Sequence, residues 1–383
     1  MVTEVVHQSW GNRLMDSIKN VVFGVVLFLF SIGLLWWNEG NAVKNYQKIN
    51  ETRKAVVSIP SDTVSKAHEG KAVHLTGKAE TQAVLKDPMF EVEANAIRLR
   101  RVVEMYQWQQ NEQTTTKKNT GGSTDKTTTY SYNKVWSNRL ISSDSFKESG
   151  HENPATMHPE GWKKEAQKVY VGSFALGGDA IRKINFYEKY VIQTAKLPEN
   201  AILQDSVIFI GKSALTPEIG DIRIHFEVVP QETISIIAGQ YGAELKSWPT
   251  SRGPYLDVDR GSFTAEEMLD QAKAEVNMMT WLIRVGGWFL MAFGMITVLS
   301  PFAVLGDVIP FIGSLLGGGI KIFSFISSAV ISLTVIAIAW IASRPLVAIP
   351  LLLVAGLLIF LQWKKARSLQ AKKKAAKQAQ AKA

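Results

Sequence analysis

The residues able to do chemistry are few and scattered. His151-Glu152 followed by His158 has the outline of a metal site. The spacing is not H-E-x-x-H, and the second imidazole comes seven residues after the first. Pro154 and Pro159 make the stretch an extended loop, so no helix face gathers the ligands. His225 sits among the polar residues of an alternating stretch and reads as a surface histidine. "GGDAIRKI" (177–184) places glycines before a possible helix, without a phosphate-loop lysine or dinucleotide spacing. Gly211-Lys212-Ser213 lacks the upstream glycine of a nucleotide-binding loop. There is no G-x-S-x-G and no pair of carboxylates in a setting for acid–base work. With no cysteine, disulfides, thiolate metal ligands and cysteine nucleophiles are excluded. The expectation is a protein with no catalytic residues, no metal and no cofactor, and not an enzyme.

The charges that stand out lie instead within or beside apolar runs. Arg284 falls one turn into an apolar stretch, where its long stem lets the guanidinium snorkel to the headgroups. Asp307 and Lys321 flank "VIPFIGSLLGGGI", a segment with a mid-run proline and three successive glycines. Ser324, Ser328 and Ser332 recur every four residues; such hydroxyls bond their own backbone or a neighbouring helix, or line a polar path.

These positions are carried by membrane segments. Residues 21–37 form an uncharged run ending in the interfacial pair Trp36-Trp37, expected as the first transmembrane helix. Residues 281–299, 321–342 and 346–363 read as three more, the last two joined by the tight turn Ser343-Arg344-Pro345. Gly286, Gly287 and Gly294 allow close helix approach in the second. Residues 1–20 are expected as an amphipathic segment, with Val6, Trp10, Leu14 and Ile18 at helical spacing, or as a frayed terminus. Residues 300–320 are too irregular for lipid and read as a re-entrant or interfacial turn, with Asp307 kept wet. Trp36, Trp37, Arg284, Asp307 and Lys321 are thus the expected membrane-interface residues.

The net charge of +9 is concentrated in 364–383, which holds eight cations and no acid. Lys364, Lys365, Arg367, Lys372, Lys373 and Lys374 are expected to face anionic lipid, and nucleic-acid binding is not implied. The positive-inside rule puts this tail in the cytoplasm. Four spans then place both termini there, the 300–320 turn with them, and residues 38–280 outside.

That aqueous region of about 240 residues is long enough for a substantial core. Ile222, Ile224, Phe226 and Val228 alternate with polar residues, and 169–176, 207–210 and 233–238 are further strand candidates. Residues 95–110 and 127–137, rich in Tyr and Trp, read as a long aromatic hairpin with Gly121-Gly122 near its tip and with Trp108 and Trp136 packing on its faces. Thr264-x-x-Glu267 is a capping box opening a helix that runs into the second span. The fold class is therefore an α+β membrane protein: four transmembrane helices plus a β-dominated extracytoplasmic domain ending in a juxtamembrane helix.

"LLWWNEGNAVK" (34–44), "NAIRLRRVVEMYQW" (95–108), "YSYNKVWS" (130–137), "SGHENP" (149–154), "GDIRIHFEVV" (220–229), "SFTAEEML" (262–269) and "WLIRVGGW" (281–288) together resemble the transmembrane protein 43 (LUMA) family. The resemblance implies four spans, a large lumenal domain, cytoplasmic ends and self-association. Eukaryotic members lie in the endoplasmic reticulum and inner nuclear membrane and are implicated in envelope organisation through lamins and emerin. A cysteine-free outer domain leans toward a bacterial member, in the inner membrane with 38–280 in the periplasm, where neither partner exists. No catalytic residues come with the family. The function expected is a non-enzymatic membrane scaffold that self-associates, contacts other membrane proteins and organises membrane or envelope structure. A channel or transporter component, or a lipid-modifying enzyme, are the alternatives.

Overall fold

The computed structural model describes residues 2–341, 349–350, 353–365 and 367. The chain divides into two compact units. The first comprises the N-terminal residues through Glu4, Gln47–Thr114 and Thr127–Lys273; the second comprises Val5–Tyr46, Thr115–Lys126 and the residues from Ala274 onward.

The first unit is built from β-sheets. Ile222–Val229 pairs antiparallel with the start of strand Arg98–Lys118, setting Ile224 against Val103 and Phe226 against Arg101. Residues of one parity are buried, so Leu99, Val103, Ile224 and Phe226 enter the core while the alternate residues, apart from Val229 at the strand end, do not. A second sheet closes on itself. Ala72–Glu80 pairs with both Thr233–Tyr241 and Tyr170–Val171, and the ring is completed through Glu244–Lys246 and Phe174–Leu176. Closure removes exposed edges from these strands and buries Leu75, Phe174, Ile234 and Ile236 completely or nearly so. Between strands Tyr170–Val171 and Phe174–Leu176, Gly172 takes a left-handed φ of 59°, with Ser61 O 2.1 Å from where a Cβ would stand. Arg101 and Asp87 form a buried pair in which Arg101 Nη1 donates to both carboxylate oxygens, at 2.9 and 2.8 Å; Asp87 also accepts from the backbone of Met89 and Phe90.

The aromatic hairpin is present and longer than its sequence signal. Its strands are Arg98–Lys118 and Thr124–Ser137, and Gly121 and Gly122 turn it with φ of 87° and 81°. Trp136 packs on Tyr106 and Phe209, and Arg223 lies over its ring.

The second unit is helical. Helix α1 runs Trp10–Ala55; after the short helix α2, Gly178–Lys183, of the first unit, α3 runs Ala265–Gly306 and α4 Pro310–Ile341. Each of α1, α3 and α4 is long and apolar enough to cross a membrane, and 353–365 is also helical. The chain is an α+β integral membrane protein. Residues 346–348 and 351–352 of the expected 346–363 span, the 343–345 turn, and Lys372, Lys373 and Lys374 lie outside the described residues. The capping box opens α3: Glu267 N–H donates to Thr264 Oγ1 and Thr264 N–H to Glu267 Oε2.

Two expectations change. Residues 2–8 form a strand paired with Thr124–Ser137, so Val6 is not on a helix with Trp10 and Leu14; α1 begins only at Trp10. The irregular turn shrinks from 300–320 to the few residues between Gly306 and Pro310. Pro301 is inside α3, and Gly317–Gly319 are helical in α4. A continuous helix satisfies its amides internally, which an irregular segment near lipid does not. Those three glycines meet no neighbour at the Cβ position.

Candidate functional site

Helices α1 and α3 approach closely because their contacts carry no side chain. A Cβ on Gly24 would lie 2.9 Å from Gly294 O, and one on Gly287 would strike Leu35. Gly286, grouped with Gly287 and Gly294 in the sequence, faces open space.

At the end of the apolar runs the same helices hold an ion pair. Arg284 Nε and Nη2 donate to Glu39 Oε1 and Oε2, both at 2.7 Å. Glu39 is fully buried, and Trp340 Nε1 of α4 donates to its Oε2. The guanidinium lies 4.9 Å from the ring centroids of both Trp281 and Trp340. Arg284 therefore does not snorkel: its side chain is 11% exposed, and a carboxylate from another helix neutralises it. Asn38 Nδ2 donates to Thr280 O and Tyr46 Oη to Asn277 Oδ1, extending the polar zone. Trp36 and Trp37 are more than half exposed.

Beside the pair is a cavity of about 470 Å³, lined by residues of α1, α3 and α4. The serine column is buried: Ser328 Oγ donates to Phe325 O, and Ser332 Oγ to Met291 Sδ at 3.6 Å, while Ser324 Oγ is unpartnered.

A second cluster lies at the α3–α4 turn. Asp307, expected wet, is 2% exposed. Lys118 Nζ donates to its Oδ1 at 2.8 Å and Arg13 Nη2 to its Oδ2 at 2.5 Å. Burial pushes the Asp307 carboxyl up, but the bonds from Lys118 and Arg13 outweigh it and hold the group below the usual carboxylate range. Trp10 Nε1 donates to Val304 O, and Gly121 N–H to Val308 O. Gly313 is required here, since a Cβ would sit 1.9 Å from Asp307 Oδ1. The sequence reading put residues 38–280 and 300–320 on opposite membrane faces. A hydrocarbon core about 30 Å thick cannot separate Lys118 from Asp307 at this distance, so in this structure the hairpin tip shares a side with the turn. Lys321 is exposed, partway along α4.

The histidines gather no metal: among the described residues no cluster of His, Cys, Asp and Glu could hold one. His151 instead stacks on Tyr132 at 4.0 Å and meets Trp108 edge-on at 4.4 Å. His74, bonded to Ser58 and to Phe263 O, has its pKa lowered by burial. Lys364 and Lys365 end the helical stretch 353–365, and Arg367 lies over the Trp363 ring at 3.8 Å.

Apolar helices bonded through buried ion pairs, attached to a β-rich domain, define an integral membrane protein without a recognisable catalytic constellation among the described residues. The sequence profile described as Transmembrane protein 43 matches residues 105–345. Transmembrane protein 43 of Homo sapiens is 32% identical over 359 residues, 90% of this chain and 89% of that one. The Mus musculus protein of the same name is 31% identical, covering 87% of each chain. The Drosophila melanogaster homolog is 29% identical over 87% of this chain and 91% of its own. No solved structure matches. The chain belongs to the transmembrane protein 43 family.

Proposed function

We propose that this protein is a non-enzymatic membrane scaffold that self-associates and organises membrane or envelope structure through its β-rich domain. The observation that carries this reading is the use of its buried charges. Glu39 with Arg284, Asp87 with Arg101, and Asp307 with Arg13 and Lys118 are paired and fix elements to one another. Catalytic groups are instead left poised with shifted pKa values beside a substrate space. The serine column favours the scaffold over a channel, because its hydroxyls are packed away. Self-association is supported by the edge strand Ala201–Gln204, which ends its sheet and exposes Ile202 and Leu203. Cross-linking of the full chain in membranes tests it. Oligomer bands are expected, and Ile202→Lys with Leu203→Glu should weaken them; an unchanged monomer in both would count against self-association.

The basic residues Lys364, Lys365 and Arg367 at the end of the last described helix support cytoplasmic ends contacting anionic lipid, with 38–280 outside apart from the hairpin tip. That is the periplasm in a bacterial cell and the lumen of the endoplasmic reticulum or nuclear envelope in a eukaryotic one. Cysteines introduced at Ser142 and Leu315 should react with an impermeant thiol reagent from opposite faces. Labelling from one face would overturn this topology.

A further inference from the structure

We propose that the cavity beside the Arg284–Glu39 pair is a binding site for one glycerophospholipid, its head oxygens at Arg284 and one acyl chain against Trp288. The cavity is amphipathic along its length. Tyr46, Asn277 and Arg284 line its polar end, and Trp288, Ala329 and Leu333 its apolar end. Asn277 and Trp288 are eleven residues apart on α3, a rise of about 16 Å. That length and the volume of about 470 Å³ suit a single acyl chain and fall within the range of small-molecule sites. Between the two ends stand Trp281 and Trp340, rings of the type that prefers the boundary between headgroups and hydrocarbon.

The polar end offers donors. Arg284 uses Nε and Nη2 on Glu39, and its Nη1 has no hydrogen-bond partner among the described residues. The Asn277 amide N–H₂ is a further donor, since Asn277 Oδ1 accepts from Tyr46. Because Glu39 neutralises Arg284, the site selects acceptor oxygens more than net negative charge, and phosphate or ester oxygens supply them. The source is the bilayer. Trp281, Leu282, Val285 and Phe289 expose large apolar surface on the same stretch of α3, so a chain enters sideways from lipid.

The full chain purified from membranes in mild detergent is examined by native mass spectrometry, and its lipids are identified after extraction. The wild-type chain should carry one discrete phospholipid. Ala329→Trp, which fills the apolar end without touching Arg284 or Glu39, should lower that occupancy at least tenfold with little change in melting temperature. If Ala329→Trp fails to fold, Leu333→Phe carries the test, with a severalfold loss expected. Delipidated chain should recover the adduct from dioleoyl phosphatidylglycerol and not from oleic acid. Equal occupancy in the folded variants, a bound fatty acid in place of phospholipid, or detergent alone would overturn the proposal.

Discussion

Arg284 and Glu39, 245 residues apart in sequence, face each other across two parallel hydrogen bonds of 2.7 Å and tie α3 to α1. Removing either partner leaves the other charge buried and alone. Glu39→Ala or Arg284→Ala should each cost about 3–5 kcal/mol, whereas Glu39→Leu with Arg284→Met should cost less than the two losses summed. Unfolding in detergent measures this. Single variants that melt like the wild type would show that the pair does not hold the helices.

Asp307 should behave as a buried partner and not as a wet surface acid. Lys118→Cys with Asp307→Cys should form a disulfide under mild oxidation in membranes. Separate labelling of the two cysteines from opposite faces, without a cross-link, would restore the topology read from charge bias.

The same cluster sets a pH dependence. Its folded pKa lies below the ordinary carboxylate value, so its contribution is fully present above that ordinary value and is lost as pH falls through the folded one. Exchange protection at Gly121, whose N–H donates to Val308 O, should fall on acidification below the carboxylate range. It should be insensitive to pH in Asp307→Asn.

The glycines divide by what surrounds them. Gly294→Ala should destabilise by about 1–3 kcal/mol, because its Cβ would lie 2.8 Å from Phe28 N on α1. Gly286→Ala and Gly318→Ala meet open space and should be neutral or stabilising by up to about 1 kcal/mol, the helix preference of alanine over glycine. Equal effects at all three would remove the claim of close α1–α3 packing.

Trp136→Ala should destabilise the chain by about 1–3 kcal/mol, since the ring packs on Tyr106 and Phe209 but is only half-buried. An unchanged melt accompanied by loss of a binding partner would make it a contact surface instead.

Periodicity by itself determined the β-rich domain, the aromatic hairpin, the capping box and the apolar helices. Alternation at Ile222–Val229 and reciprocal capping at Thr264 and Glu267 are local consequences of side-chain direction and backbone hydrogen bonding. Only the tertiary structure decided what the isolated charges meet. Arg284 and Asp307 each carry an ordinary interfacial signal, because a lone charge beside an apolar run reads the same with or without a distant partner. Glu39 gave no signal of its own behind Trp36-Trp37, and Lys118 looked like one more lysine in a polar hairpin. Helix continuity through Pro301 and Gly317–Gly319 likewise overrode local propensity, because an unbroken helix is the conformation that satisfies backbone amides away from water.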